Sequence, residues 1–191
     1  MTTQSFALFD TAIGTCGLVW GERGVAGVQT PERDAAATRA RLRRRFPDAD
    51  EASPAPVQHV IDRIIALLDG EPREFADVPI DFGGVPELNR RVYDIARTIP
   101  PGETLTYGEI AKRLGDPAMA RDVGQALGQN PFPIIVPCHR VLAAGGKTGG
   151  FSAPGGVKTK LKLLSIEGAR TSDTPGLFDN LPLVARPRRR G

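Results

Sequence analysis

A run of short strands followed by a run of helices predicts an α+β fold for this chain. Three observations carry that expectation. Residues 5–10, 13–21 and 24–29 are short segments rich in β-branched and aromatic side chains, separated by Gly-containing turns, the pattern of an antiparallel meander. Val57, Val60, Ile61, Ile64, Ile65 and Leu68 then fall at i, i+3, i+4, i+7, i+8 and i+11, one stripe of an amphipathic helix. Beyond Gly83-Gly84, two short helical segments joined by a glycine turn have the dimensions of a helix-turn-helix.

Between the meander and the amphipathic helix, residues 35–46 are helical in composition and carry Arg39, Arg41, Arg43, Arg44 and Arg45. These read as a phosphate patch or as a solvated face; Asp48, Asp50 and Glu51 directly behind favour the solvated face. Residues 47–56, acidic and rich in Pro and Ala, are expected as an exposed connection. His59 lies off the apolar stripe and reads as a surface histidine. Residues 81–85 form the candidate boundary between a first domain, 1–82, and a second, 83–170, with 171–191 as a basic tail.

The second half is well punctuated. Residues 86–99 form a helix with Leu88, Val92, Ile95 and Ile99 on one side, stopped by Pro100-Pro101-Gly102. Thr106-Tyr107-Gly108-Glu109 is a capping box. Its helix runs to Leu114 and ends at Gly115, a place for a left-handed cap. Asp116-Pro117 opens the next helix as N-cap and first residue, and Asn130-Pro131 closes it. That helix carries Ala120, Gly124 and Gly128 beside one long cation, Arg121. Two interior glycines cost roughly 1 kcal/mol each relative to alanine, so either the protein or a ligand comes close to this face. The helix pair alone fits a simple helical hairpin as well as a DNA-binding unit.

Composition excludes more than it suggests. The chain has 191 residues, 40% hydrophobic and 25% charged, with a formal charge of +3. Residues 1–78 carry 9 basic and 12 acidic side chains, 79–185 carry 12 and 10, and the Arg-rich last six residues add four cations. The basic second part raises the expectation of a polyanionic partner there. With 2 Cys (Cys16, Cys138) and 2 His (His59, His139), neither a disulfide framework nor a zinc-ligand motif is available. No signal-like start and no long apolar run is present, so the expectation is a cytoplasmic protein without membrane association.

A short apolar run, 132–136, leads into Pro137-Cys138-His139-Arg140-Val141. A thiol is mostly protonated at neutral pH, so a nucleophilic cysteine needs a base or a positive neighbourhood. His139 and Arg140 adjoin Cys138, but neighbouring side chains diverge, and a bridging water would have to carry the proton. A buried structural cysteine at a strand end is the competing reading. Residues 145–156 then hold six glycines. A phosphate-binding loop is excluded because Val141 stands where that motif needs glycine; a loop wrapping a flat ligand is not. In the helix expected over 157–166, Lys158, Lys160 and Lys162 read as a solvated face, with Leu161 and Leu164 inward.

Taken together, Pro137-Cys138-His139-Arg140-Val141, Thr106-Tyr107-Gly108-Glu109, Ala120-Arg121, the run from Gly124 to Pro131 and Gly150-Phe151-Ser152 resemble the O6-alkylguanine-DNA alkyltransferases (methylated-DNA–protein-cysteine methyltransferases). The resemblance runs from about Asn89 to Gly168. It implies a two-domain α+β fold: an N-terminal antiparallel-sheet domain, then a mostly helical, winged-helix-like domain holding the helix-turn-helix and the cysteine. It implies single-turnover repair of double-stranded DNA containing O6-alkylguanine, with O4-alkylthymine a further candidate, after base flipping from the minor groove. No cofactor, metal or obligate protein partner is implied, and the protein would act as a monomer.

The resemblance also implies roles. Cys138 would accept the alkyl group, with His139 its base and Glu167 orienting His139. Asn130 would brace the turn before the cysteine, and Tyr107 would crowd the target phosphate and protonate the departing guanine. Arg121 would fill the space the base leaves, with Ala120, Gly124 and Gln125 on the DNA face. Val141, Phe151, Ser152 and Pro133 would line the base pocket. Some relatives hold zinc in the first domain; with only Cys16 and His59 there, none is expected, and Cys16 reads as a small buried apolar residue. A non-catalytic lesion-binding relative is the second reading, but such proteins lack the cysteine. A sequence-specific regulator is the third; Gln125 and Gln129 alone would serve it.

Overall fold

In the computed structural model, which describes residues 4–169 and 171, the expected meander forms. β1 (Ser5–Thr11) pairs antiparallel with β2 (Gly14–Gly21), from Ser5 opposite Trp20 to Thr11 opposite Gly14, and β2 pairs with β3 (Gly24–Gln29). One face of this sheet takes α1 (Ala35–Arg45): Leu42 of the helix is buried with Phe6, Val19 and Ala26. Gly17 and Gly27 permit that approach, because a Cβ at either would run into Leu42 or Phe46.

The acidic connection is more ordered than its composition suggests. Asp50–Glu51 forms β4, parallel to β1, and the sheet order is β3-β2-β1-β4. Backbone bonds from Asp50 N to Gln4 O and from Ala52 N to Phe6 O occupy the free edge of β1. Glu51 meanwhile holds Arg39 in a bidentate pair and lies 3.7 Å from Arg43. The arginine face of α1 is thus partly consumed inside the protein.

The other face of the sheet carries the main core. α2 (Gln58–Leu68) lays Val60, Ile61, Ile64 and Leu68 of the expected stripe against it, together with Leu67; His59 is exposed. α3 (Glu87–Arg97) follows, burying Val92 and Tyr93. Then come β5 (Leu105–Thr106) and α4 (Tyr107–Leu114). Both bonds of the capping box form, and Gly115 closes α4 at φ 100°. Asp116 caps a short 3-10 turn, Pro117–Met119, that leads into α5 (Ala120–Gly128), which packs on α4 and α3. β6 (Val141–Leu142) pairs parallel with β5, and α6 (Val157–Ile166) ends the described chain.

The hydrophobic cluster runs without a break from Leu18 and Val28 of the sheet through Ile64 and Val92 to Ile135, Cys138 and Leu163. The outer edge of β3 is also engaged: Val25 bonds Pro79 and Asp81, and Val28 N bonds Pro131 O at 2.9 Å. The sheet is thereby tied to the segment that leads to the cysteine. The basic tail expected at 171–191 falls, apart from residue 171, outside the described residues.

Candidate active site

Residues 132–136 do not form a strand; they form a tight loop held from within by Asn130. Its Nδ2 donates to Val136 O at 2.9 Å and its Oδ1 accepts from Phe132 N at 2.9 Å. Between those two bonds Ile134 sits at φ 77°, a backbone region costly for a β-branched residue. The braced loop delivers a buried 3-10 turn, Cys138–Arg140, so Cys138 stands on a turn and not at a strand end.

Cys138 is 8% exposed. Directly behind it, His139 Nε2 meets Glu167 Oε1 at 2.9 Å, while its Nδ1 is buried without a hydrogen-bond partner among the described residues. Glu167 follows α6 and also receives Arg140, whose Nε and Nη2 each lie 2.8 Å from a carboxylate oxygen. Arg140 Nη1 donates to Ile99 O at 2.6 Å, tying the turn to the end of α3. Arg140 is therefore committed to Glu167, not turned towards the thiol as its place in the sequence suggests.

The charges are set by burial and by these bonds. Burial pushes the Glu167 carboxyl up, but the bonds from His139 and Arg140 outweigh it and hold the group at about 2. Burial depresses His139, with Glu167 opposing, so the ring is kept neutral. Burial raises the Cys138 thiol, opposed by the Asn130 side chain, the Lys160 ammonium and nearby backbone N–H groups. Cys16, buried beside Thr11, is pushed up to about 12, as befits an inert thiol.

A cavity of about 500 Å³ opens over Cys138, lined by Tyr107, Ala120, Arg121, Gly124, Leu127, Gly128, Gly150, Phe151 and Ser152. The β5–β6 pairing places Tyr107, the first residue of α4, beside the cysteine turn. Gly149 lies against the Tyr107 ring, where a Cβ would come within 2.9 Å of the hydroxyl. The glycines of α5 are not explained by packing inside the protein. A Cβ at Gly124 would meet nothing closer than the Tyr107 ring at 3.9 Å, and one at Gly128 nothing within 4 Å.

Seven of the residues expected at the site line this cavity, His139, Glu167 and Asn130 support the cysteine turn from within, and the other three lie apart from both groups. Gln125 is exposed on α5. Pro133 lines a second cavity of about 510 Å³, between the sheet and the Asn130 loop, which shares Cys138, Gly128 and Ser152 with the first. Val141 is buried beneath, and its carbonyl accepts Lys160 Nζ at 2.6 Å. That bond corrects the reading of the lysines: Lys158 and Lys162 are exposed, but Lys160 is buried with Leu163 and Leu164. The i, i+3, i+4 spacing of those three residues was the available signal, and the charge of lysine masks it. Leu161 is only half-buried. Among the described residues no group of three or more His, Cys, Asp or Glu side chains could hold a metal ion, and no helix is long and apolar enough to cross a membrane.

Comparison with known proteins identifies the family. Residues 87–169 match the family described as 6-O-methylguanine DNA methyltransferase, DNA binding domain. A methylated-DNA–protein-cysteine methyltransferase of Methanothermobacter thermautotrophicus is 39% identical over 152 residues, covering 80% of this chain and 78% of that protein. The crystal structure of the Mycobacterium tuberculosis O6-methylguanine methyltransferase is similar with a TM-score of 0.70 at 35% identity, covering 87% of this chain and 93% of the other. A structure of OGT from the same organism in complex with DNA matches equally well, with a TM-score of 0.70, 35% identity and coverage of 86% and 92%. With residues 87–169 matching that family and 39% identity to a relative over 80% of its length, the chain belongs to the methylated-DNA–protein-cysteine methyltransferase family.

Proposed function

We propose that this protein repairs double-stranded DNA by taking the alkyl group from O6 of a flipped-out guanine onto Cys138, once per molecule. The observation that carries the reading is a thiol at the floor of a cavity, with a neutral imidazole behind it whose Nδ1 has no hydrogen-bond partner among the described residues. Guanine O6 lies inside the base stack, so the nucleotide has to leave it before a thiolate can reach it.

The steps balance with the side chains present. The thiol proton passes through a water to His139 Nδ1, and Glu167 stabilises the imidazolium. The thiolate attacks the alkyl carbon; the S–C bond forms, the C–O6 bond breaks, and the electron pair stays on guanine. Guanine regains a proton from the Tyr107 hydroxyl, which the imidazolium then resupplies. The thioether product has no leaving group, so one molecule serves one lesion.

α4 and α5 act as the helix-turn-helix, with α5 against the minor groove. Its Ala120, Gly124 and Gly128 keep that face low where the groove is narrow, and Arg121 occupies the place the base vacates. Gln125, exposed on the same helix, reaches the backbone. Pro133 bounds the site from the second cavity, and Phe151 and Ser152 border the base. The test is mass spectrometry after mixing with duplex carrying O6-methylguanine. One methyl group is expected on the Cys138 peptide and none in Cys138→Ser; unmodified wild-type protein after complete mixing refutes the reading.

A further inference from the structure

Lys160 is a buried titratable group that the transfer steps leave unused. It is 0% exposed, and none of the salt bridges among the described residues involves it. Its Nζ donates to Val141 O at 2.6 Å and to Gly150 O at 3.3 Å, and lies 5.9 Å from the centre of the Tyr107 ring. Two carbonyls and a ring face offset only part of the cost of burying an ammonium. An apolar residue would complete the inward stripe with Leu163 and Leu164 more cheaply, so the charge needs another justification.

The three groups it touches all border the acceptor. Val141 follows the cysteine turn, and Gly150 and Tyr107 are both in the cavity wall. The titratable groups around the thiol are Tyr93 from α3, Tyr107 from α4, Arg121 from α5, His139 and Arg140 on the turn, Glu167 after α6, and Lys160, with exposed Arg41 and half-buried Arg45 of α1 facing it across the second cavity. Arg140 is neutralised by Glu167, Arg121 is exposed, and His139 is neutral, which leaves Lys160 as the buried cation able to favour a thiolate.

We propose that Lys160 is a positioning residue for alkyl transfer: its ammonium holds the Gly150 wall against β6 and stabilises Cys138 as the thiolate. The proposal rests on Cys138 being the acceptor. Attraction across the pair favours both charged forms, in line with the Cys138 and Lys160 charges each supporting the other against burial, which brings the lysine down to about 8.

The experiment follows the rate of Cys138 alkylation by iodoacetamide against pH, in the full chain and in Lys160→Met. The profile is expected to move to higher pH, with the rate at neutral pH falling roughly tenfold. An unmoved profile, or a slowing by the same factor at every pH, overturns the proposal. Should Lys160→Met fail to fold, the reciprocal measurement decides. In protein carrying ¹⁵N-lysine, Cys138→Ser should lower the pH at which Lys160 Nζ titrates, and an unchanged titration overturns it. Both readouts use the thiol alone, so a failure of methyl transfer from DNA would leave them standing, and their failure would leave the acceptor role untouched.

Discussion

At the scale of single residues, Glu167 is the hub of the site. One buried carboxylate accepts from His139 and twice from Arg140, and Arg140 in turn anchors the turn to Ile99. Replacing it with Gln leaves the Arg140 guanidinium buried without its counter-charge, a change that costs about 3–5 kcal/mol. The carboxyl titrates at about 2 instead of its ordinary 4.5, so it contributes stability that is present above pH 4.5 and lost as pH falls towards 2. Denaturant unfolding across that range should show the wild-type stability falling with acid. Glu167→Gln should start lower and lose this part of the slope. His139 acts with the opposite chemistry but the same sign. Burial lowers its pKa, so protonation opposes the fold, and the stability of the neutral ring is lost as pH falls below 6.5. The same lowering keeps His139 unprotonated at neutral pH, with a ring nitrogen open to a proton.

At the scale of elements, α4 and α5 were legible from punctuation alone. Thr106 and Glu109 cap one helix reciprocally, Gly115 ends it with positive φ, and Asp116-Pro117 opens the next segment. These are local effects of side chains on their own backbone, which is why three or four letters suffice to read them. The glycines of α5 were ambiguous in sequence, since inward packing and outward approach both favour small residues. The structure removes the inward explanation, because neither Gly124 nor Gly128 faces a crowded neighbour. Arg121 is exposed at the cavity rim on the first turn of α5, which is where the proposed role in filling the vacated base position requires it. Arg121→Ala is expected to slow methyl transfer from duplex DNA by at least tenfold while leaving reaction with free O6-benzylguanine within about twofold, since only the duplex requires extrusion. Parallel rate measurements on the two substrates check this, and equal losses would remove the role.

At the scale of the whole molecule, the sheet supports the site at a distance. Arg45 of α1 donates to Val28 O and Gln29 Oε1 at 3.0 and 2.8 Å, and reaches Pro131 O at 3.3 Å, next to the Asn130 brace. Arg45→Ala removes these charge-assisted bonds and should lower stability by about 1–3 kcal/mol, seen as a lower denaturant midpoint with an unchanged slope. The sequence by itself determined the meander, the amphipathic stripes, the capped helices and the cysteine motif, because each is written in neighbouring residues and a fixed period. It could not show that Lys160 points inward, that Arg140 serves Glu167 and not Cys138, or that Arg45 joins α1 to the Asn130 loop. Their partners lie 19, 27 and 86 positions away. A charged side chain reads as solvated until a counter-charge or a carbonyl from a distant segment is brought to it. Only tertiary packing does that, and here it brings Glu167 to the cysteine turn and the Lys160 ammonium to the strand that follows it.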